Sequence, residues 1–179
     1  MQVEVVGGRE HDISFLQGNA ITTYFREVDM PFVLFEPHCE ENTWFHNMEQ
    51  LIFFVRQLQA IPYVDNDRLY LTGNSMGAYA AWMLAMIMRN TFAALVPVCG
   101  GGMPWCADYF IDLPIWSFHG VLDETVPVEE SIKMISAVNS AGGSCKLTLY
   151  EKVAHNCWDY AYKEPSLYEW LLSISRIGH

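Results

Sequence analysis

Five residues, Gly73-Asn74-Ser75-Met76-Gly77, constrain this chain more than any others. An apolar run, Arg68–Thr72, enters them and an apolar helix-length segment leaves them at once. That is G-x-S-x-G in the setting that gives it meaning: strand, tight turn, helix. The turn forces the serine into a strained backbone conformation with its hydroxyl exposed. Glycines flank it because side chains there would clash as strand and helix close on each other. The helix N-terminus then aims free N–H groups and the positive end of a dipole at whatever binds. A serine that attacks an acyl carbon needs that arrangement.

The rest of the chain alternates in the same way. Val3–Val6, Phe32–Phe35, Ala93–Val98, Ile115–Phe118 and Leu147–Tyr150 are short apolar runs that read as strands. Between them Ile13–Phe25, Trp44–Gln59, Ala78–Met88, Val128–Ala141 and Leu167–Ile174 read as helices. Ala78–Met88 is apolar all round, and Ala78, Ala81 and Ala85 would let it lie close on a sheet. Strands alternating with helices predict a parallel sheet covered on both faces, with ligands at the carboxyl ends of the strands. Ser75 and the loops after Phe118 and Tyr150 fall at such ends.

At 179 residues the chain is expected to form one domain, 1–179, without repeats or linkers. A net charge of −11 argues against nucleic acid and anionic membranes as partners. No apolar run approaches the ~20 residues that span a bilayer, and no basic, apolar leader opens the chain. A cytoplasmic location is the expectation, and free thiols are the reading for Cys39, Cys99, Cys106, Cys145 and Cys157. Cys99 and Cys106 are near enough in sequence to bridge. Neither His155/Cys157 nor His38/Cys39 has a zinc spacing, so no metal and no cofactor are expected.

A serine hydroxyl needs a base, and the base needs a third group to hold it. In the order serine, acid, histidine, His155 follows the last strand and is the candidate base. Asp123 is the candidate acid, with Glu124 and Asp159 as rivals. An aspartate before Pro127 is also a turn former. His119 precedes the acids and reads as a structural histidine beside the site. Trp105 and Trp158, with Asn74, are candidate substrate contacts, and Glu129-Glu130 reads as the acidic first turn of a helix.

From Arg68 to Trp158 the chain resembles the α/β-hydrolase superfamily. It is most similar there to small esterases related to polyhydroxybutyrate depolymerases, feruloyl esterases and prolyl-oligopeptidase-like hydrolases. The resemblance rests on Asp67–Gly77, Val96-Pro97-Val98-Cys99-Gly100-Gly101, Leu113–Gly120 with Asp123 and Val126-Pro127, and Ala154-His155-Asn156-Cys157-Trp158. It implies a three-layer α/β-hydrolase fold, shortened at its N-terminus, with a mostly parallel sheet. It implies Ser75 as nucleophile, Asp123 as acid and His155 as base in a carboxylesterase acting on small or exposed esters. A serine peptidase, or a hydrolase fold kept as a binding module, are the other readings. Met76 would supply one oxyanion N–H. The early His-Gly of these enzymes is replaced by Val6-Gly7-Gly8-Arg9, leaving Gly8 as the expected second donor. Shortening would also make Phe32, Val33, Leu34 and Phe35 an apolar edge strand, expected to pair with another copy of the chain.

Overall fold

A computed structural model describes residues 2–7 as backbone, and residues 19–39 and 43–176 in full. Seven strands form one sheet: β1 (Gln2–Gly7), β2 (Leu34–Phe35), β3 (His38–Cys39), β4 (Tyr70–Asn74), β5 (Ala94–Val98), β6 (Ile115–Gly120) and β7 (Cys145–Tyr150). Their order is β2-β1-β4-β5-β6-β7, with β3 also on β1, and every pairing is parallel. The strand that ends at Ser75 is therefore central.

The helices are α1 (Ala20–Glu27), α2 (Met48–Gln59), α3 (Met76–Ile87), α4 (Glu129–Ser140), α5 (Trp158–Ala161) and α6 (Pro165–Ser173). Two cores divide them between the faces. Leu51, Val55, Leu84, Met134 and Val138 of α2, α3 and α4 pack with Leu71, Leu95 and Ile115 on one face. Ile21, Ala161, Leu167 and Leu171 of α1, α5 and α6 pack with Tyr70, Val96, Val98, Trp116 and Phe118 on the other. Successive strand residues point to opposite faces, and here both faces are dry. That is why β4, β5 and β6 read as continuous apolar runs rather than alternating ones. The three layers are those of the α/β-hydrolase fold.

Several elements differ in extent from the sequence-based expectation. The helix expected over 13–25 is described only from Ala20, residues 13–18 lying outside the described set, and it continues to Glu27. The strand expected over Phe32–Phe35 is Leu34–Phe35, starting opposite Gln2, the first described residue of β1; after Glu36-Pro37 interrupts pairing, β1 resumes with His38–Cys39. The edge is thus two short pieces rather than one long strand, and short edges are poor templates for further pairing. The loop expected over Gly100–Pro114 contains a 3-10 segment, Pro104–Phe110. The short α5 has no counterpart in the sequence reading, since four residues hold too little periodicity to detect.

The start of the central strand is tied to the far end of the chain. The Tyr70 hydroxyl donates to the Ile174 carbonyl at 2.7 Å, and Arg68 donates to the Leu172 carbonyl at 2.8 Å. The Arg176 backbone N–H reaches the Asp67 carbonyl at 2.7 Å, and its side chain pairs with Asp67 and Asn90. Among the described residues no helix is long and apolar enough to cross a membrane.

Candidate active site

Ser75 has φ +49° and ψ −118°, a left-handed conformation that a non-glycine residue adopts only when its surroundings impose it. The packing of β4 against α3 imposes it. A Cβ placed on Gly73 would lie 2.3 Å from the Gly77 carbonyl oxygen, so only glycine permits the turn. The Ser75 N–H donates to the Val98 carbonyl at 2.9 Å, which ties the turn to β5. A serine before a helix ordinarily caps it with its hydroxyl. Ser75 makes no such cap, and its Oγ lies 2.8 Å from His155 Nε2 instead.

His155 Nδ1 is 2.8 Å from Asp123 Oδ2. The acceptor at one ring nitrogen and the hydroxyl at the other assign the tautomer: Nδ1–H donates to Asp123, and Nε2 accepts from Ser75. Asp123 is buried, 7 % exposed. Its Oδ1 accepts the N–H groups of Thr125 and Val126, both at 2.9 Å. Burial on its own would raise the Asp123 pKa. The His155 hydrogen bond and the Val126 and Thr125 N–H groups outweigh that and hold it below the usual carboxylate value. Asp123 is thus both the turn former before Pro127 and the carboxylate beneath His155. Neither rival acid replaces it in this chain of contacts: Glu124 is exposed, and Asp159 takes a hydrogen bond from Asn156 at 3.3 Å.

Gly120 allows the acid and the histidine to meet. A Cβ there would lie 2.3 Å from the Ala154 carbonyl oxygen and 2.4 Å from that of Val153. The loop that carries His155 lies directly on the end of β6. The ring of Trp158 meets the His155 ring edge-on, with centroids 5.2 Å apart.

The other expected site residues are less uniform. Asn74 closes β4 next to Ser75. Met76 opens α3, where the first N–H groups have no carbonyl a turn earlier to bond. Gly8 lies outside the described residues. Trp105 is 79 % exposed on the Pro104–Phe110 segment and is not among the residues lining the hollow over Ser75. That hollow, ≈ 360 Å³, is lined by Thr43, Trp44, Phe45, Met76, Tyr79 and Val126. From the sequence Trp44 reads as core before it reads as a substrate wall, and Thr43 and Phe45 do not stand out. Burial, followed by Glu130 and Asp123, raises the pKa of Tyr79, which keeps it a neutral phenol. The lining accordingly bears no formal charge.

Cys99 stands behind the histidine. Its sulfur, an Asp123 oxygen and a His155 nitrogen lie within 4.8 Å of one another. Cys99 is fully buried with φ +42°. A hydrogen bond with Cys157, then burial, push its thiol up, so it is an inert thiol rather than a nucleophile or ready ligand. Cys99 and Cys106 do not bridge, and no disulfide joins the described residues.

Several solved structures share this fold. A thermostable esterase of known structure is 28 % identical, with TM-score 0.85 over 98 % of this chain and 55 % of its own. The chain therefore spans about half the length of that esterase. Est1E from Butyrivibrio proteoclasticus superposes with TM-score 0.70 at 15 % identity, over 96 % of this chain and 87 % of its own. A ferulic acid esterase does so with TM-score 0.70 at 14 % identity, over 95 % and 82 %. These two show the shared fold. No curated protein matches in sequence. The dienelactone hydrolase family model matches residues 38–164, a span holding Ser75, Asp123 and His155, and the chain belongs to that family.

Proposed function

We propose that the protein is a serine carboxylic-ester hydrolase that works through an acyl-enzyme. The observation that carries this reading is the unbroken chain Ser75 Oγ–His155 Nε2 and His155 Nδ1–Asp123 Oδ2, each link 2.8 Å, at a left-handed strand-to-helix turn. His155 takes the Ser75 proton as Oγ attacks the ester carbonyl. Asp123 stabilises the imidazolium that forms, while the Met76 N–H at the start of α3 receives the oxyanion. His155 then gives the proton to the departing alcohol. Water attacks the acyl-enzyme by the same route, and the acid is released.

The hollow narrows the substrate. At ≈ 360 Å³ it is near the small end of ligand pockets, and its lining is uncharged and mostly apolar. A small uncharged acyl group fits it, with the alcohol part left outside. Purified protein and Ser75→Ala would be compared on p-nitrophenyl acetate and butyrate. Loss of turnover on the order of 10⁴-fold or more in the variant is expected. Equal rates from both proteins sink this reading. Cleavage of a peptide anilide with no ester hydrolysis would replace it by a peptidase.

A further inference from the structure

Asp123 serves two histidines. Its Oδ2 lies 2.8 Å from His155 Nδ1 and 3.1 Å from His119 Nε2. His119 is fully buried on β6 and, with Ser117, points toward α4. Its Nε2 has a second neighbour, the Val126 carbonyl oxygen at 3.0 Å. Both neighbours are oxygens without a hydrogen to give, so Nε2 carries the proton. At the other side of the ring Nδ1 is 2.7 Å from Ser131 Oγ. Ser131 has one hydroxyl hydrogen and a second acceptor within reach, the Gly100 carbonyl at 2.9 Å. Ser131 Oγ therefore bridges the ring and the Gly100 carbonyl and fixes the orientation of His119, while the two oxygens at Nε2 keep the proton there.

We propose that His119 is a positioning residue of the hydrolytic site, holding Asp123 Oδ2 through its Nε2–H and sharing that oxygen's charge with His155. The inference rests on the hydrolase reading above. Oδ1 is held by backbone alone, so a donor other than His155 is needed to fix Oδ2 when the base leans toward Ser75. Sharing has a second effect. A carboxylate oxygen with two donors gives less of its charge to either, so His155 is oriented without being locked as imidazolium. The other groups that titrate around this pair are Cys99 after β5, Cys157 after β7, Tyr79 on α3 and Glu130 on α4. Cys99 does not compete, because burial and its contact with Cys157 keep its thiol protonated.

Three variants of the full chain test this on p-nitrophenyl acetate: His119→Leu, His119→Gln and Ser131→Ala. A hydrogen bond to a charged group predicts that His119→Leu lowers kcat roughly 10- to 100-fold with KM little changed. The acid limb of its kcat/KM profile moves to higher pH, because His155 alone then receives the Asp123 charge. His119→Gln places an amide N–H near the Nε2 position and recovers most of the rate. Equal losses in both His119 variants with an unmoved acid limb would mean packing alone, and overturn the proposal. Should His119→Leu fail to fold, Ser131→Ala decides. It keeps the ring but removes the hydroxyl that fixes its orientation on Asp123, and an unmoved acid limb there overturns the proposal too. If the wild type proves no faster than Ser75→Ala, the hydrolase reading fails on its own. The low-field imidazole N–H proton resonance of His155 still tests the coupling: substitution at 119 must move it, and a fixed resonance refutes the inference.

Discussion

The two halves of the sheet on either side of β4 are built differently. On the β5–β7 side, strands of five or six residues pair in register, and the loops that carry Asp123 and His155 are bound by their own backbone. On the β1–β2 side, the outer pairing is two pieces of two residues each, and Thr43–Phe45, next along the chain, walls the hollow over Ser75. In the proposed reaction the β5–β7 half holds the groups that would handle a proton, and Thr43–Phe45 beside the other half would meet the substrate together with Met76, Tyr79 and Val126. Sites on well-supported elements keep their geometry to fractions of an ångström, whereas segments with few partners tolerate change.

Substitutions on each side should fail in different ways. The largest effect is expected from Asp123→Asn, which keeps the shape but cannot hold His155 in the tautomer that accepts from Ser75. Turnover should drop about 10⁴-fold. The same variant reports on acid stability. The folded Asp123 pKa is lowered, so its contribution is present above the ordinary carboxylate range and is lost as pH falls through the lowered value. Denaturant midpoints should therefore fall on acidification more in the wild type than in Asp123→Asn; parallel curves would deny the carboxylate that role.

Next comes Gly73→Ala, which sets a methyl group against the Gly77 carbonyl. A cost of about 1–3 kcal/mol is expected, measured as a thermal shift of about 2–4 °C per kcal/mol, together with lost activity. Unchanged melting with full activity would show that the turn is looser than it stands.

The smallest effect on stability belongs to the substrate side. Phe45 is 51 % exposed, so Phe45→Ala should change stability by no more than about 0.5 kcal/mol. It should nonetheless change the butyrate-to-acetate ratio of kcat/KM by about 3- to 10-fold, since apolar pockets discriminate by single methylenes. A constant ratio would move the acyl group out of this hollow.

The sequence is most legible where chemistry and local structure demand the same residues. Gly73–Gly77 and Asp123 before Pro127 each answer a backbone need and the proposed catalytic one, and His155 follows the last strand at the carboxyl end of the sheet, so each stands out in the chain. β5 and β6 are legible because burial on both faces leaves uniform apolar runs, and α4 because its buried residues recur at helical spacing. The hollow is not, because Thr43, Trp44 and Phe45 meet Ser75 only through the tertiary fold. The same holds for the contact of His119 with Asp123 Oδ2. They are four positions apart in sequence, but the turn between them decides whether they touch. The described edge strand starts later than its sequence suggests, at Leu34 opposite Gln2, and a short apolar run does not reveal where its register begins.

The ties between the start of β4 and residues 172–176 have a consequence for biosynthesis. The Tyr70 hydroxyl and its acceptor at Ile174 are 104 residues apart in the chain. Tyr70 is synthesised long before the carbonyl that satisfies it, at roughly 5–20 residues per second. For several seconds on the ribosome, the strand that leads to Ser75 lacks that tie, with the face that bears Tyr70 still waiting for Leu167 and Leu171. The nascent chain in that interval is a natural client for chaperones.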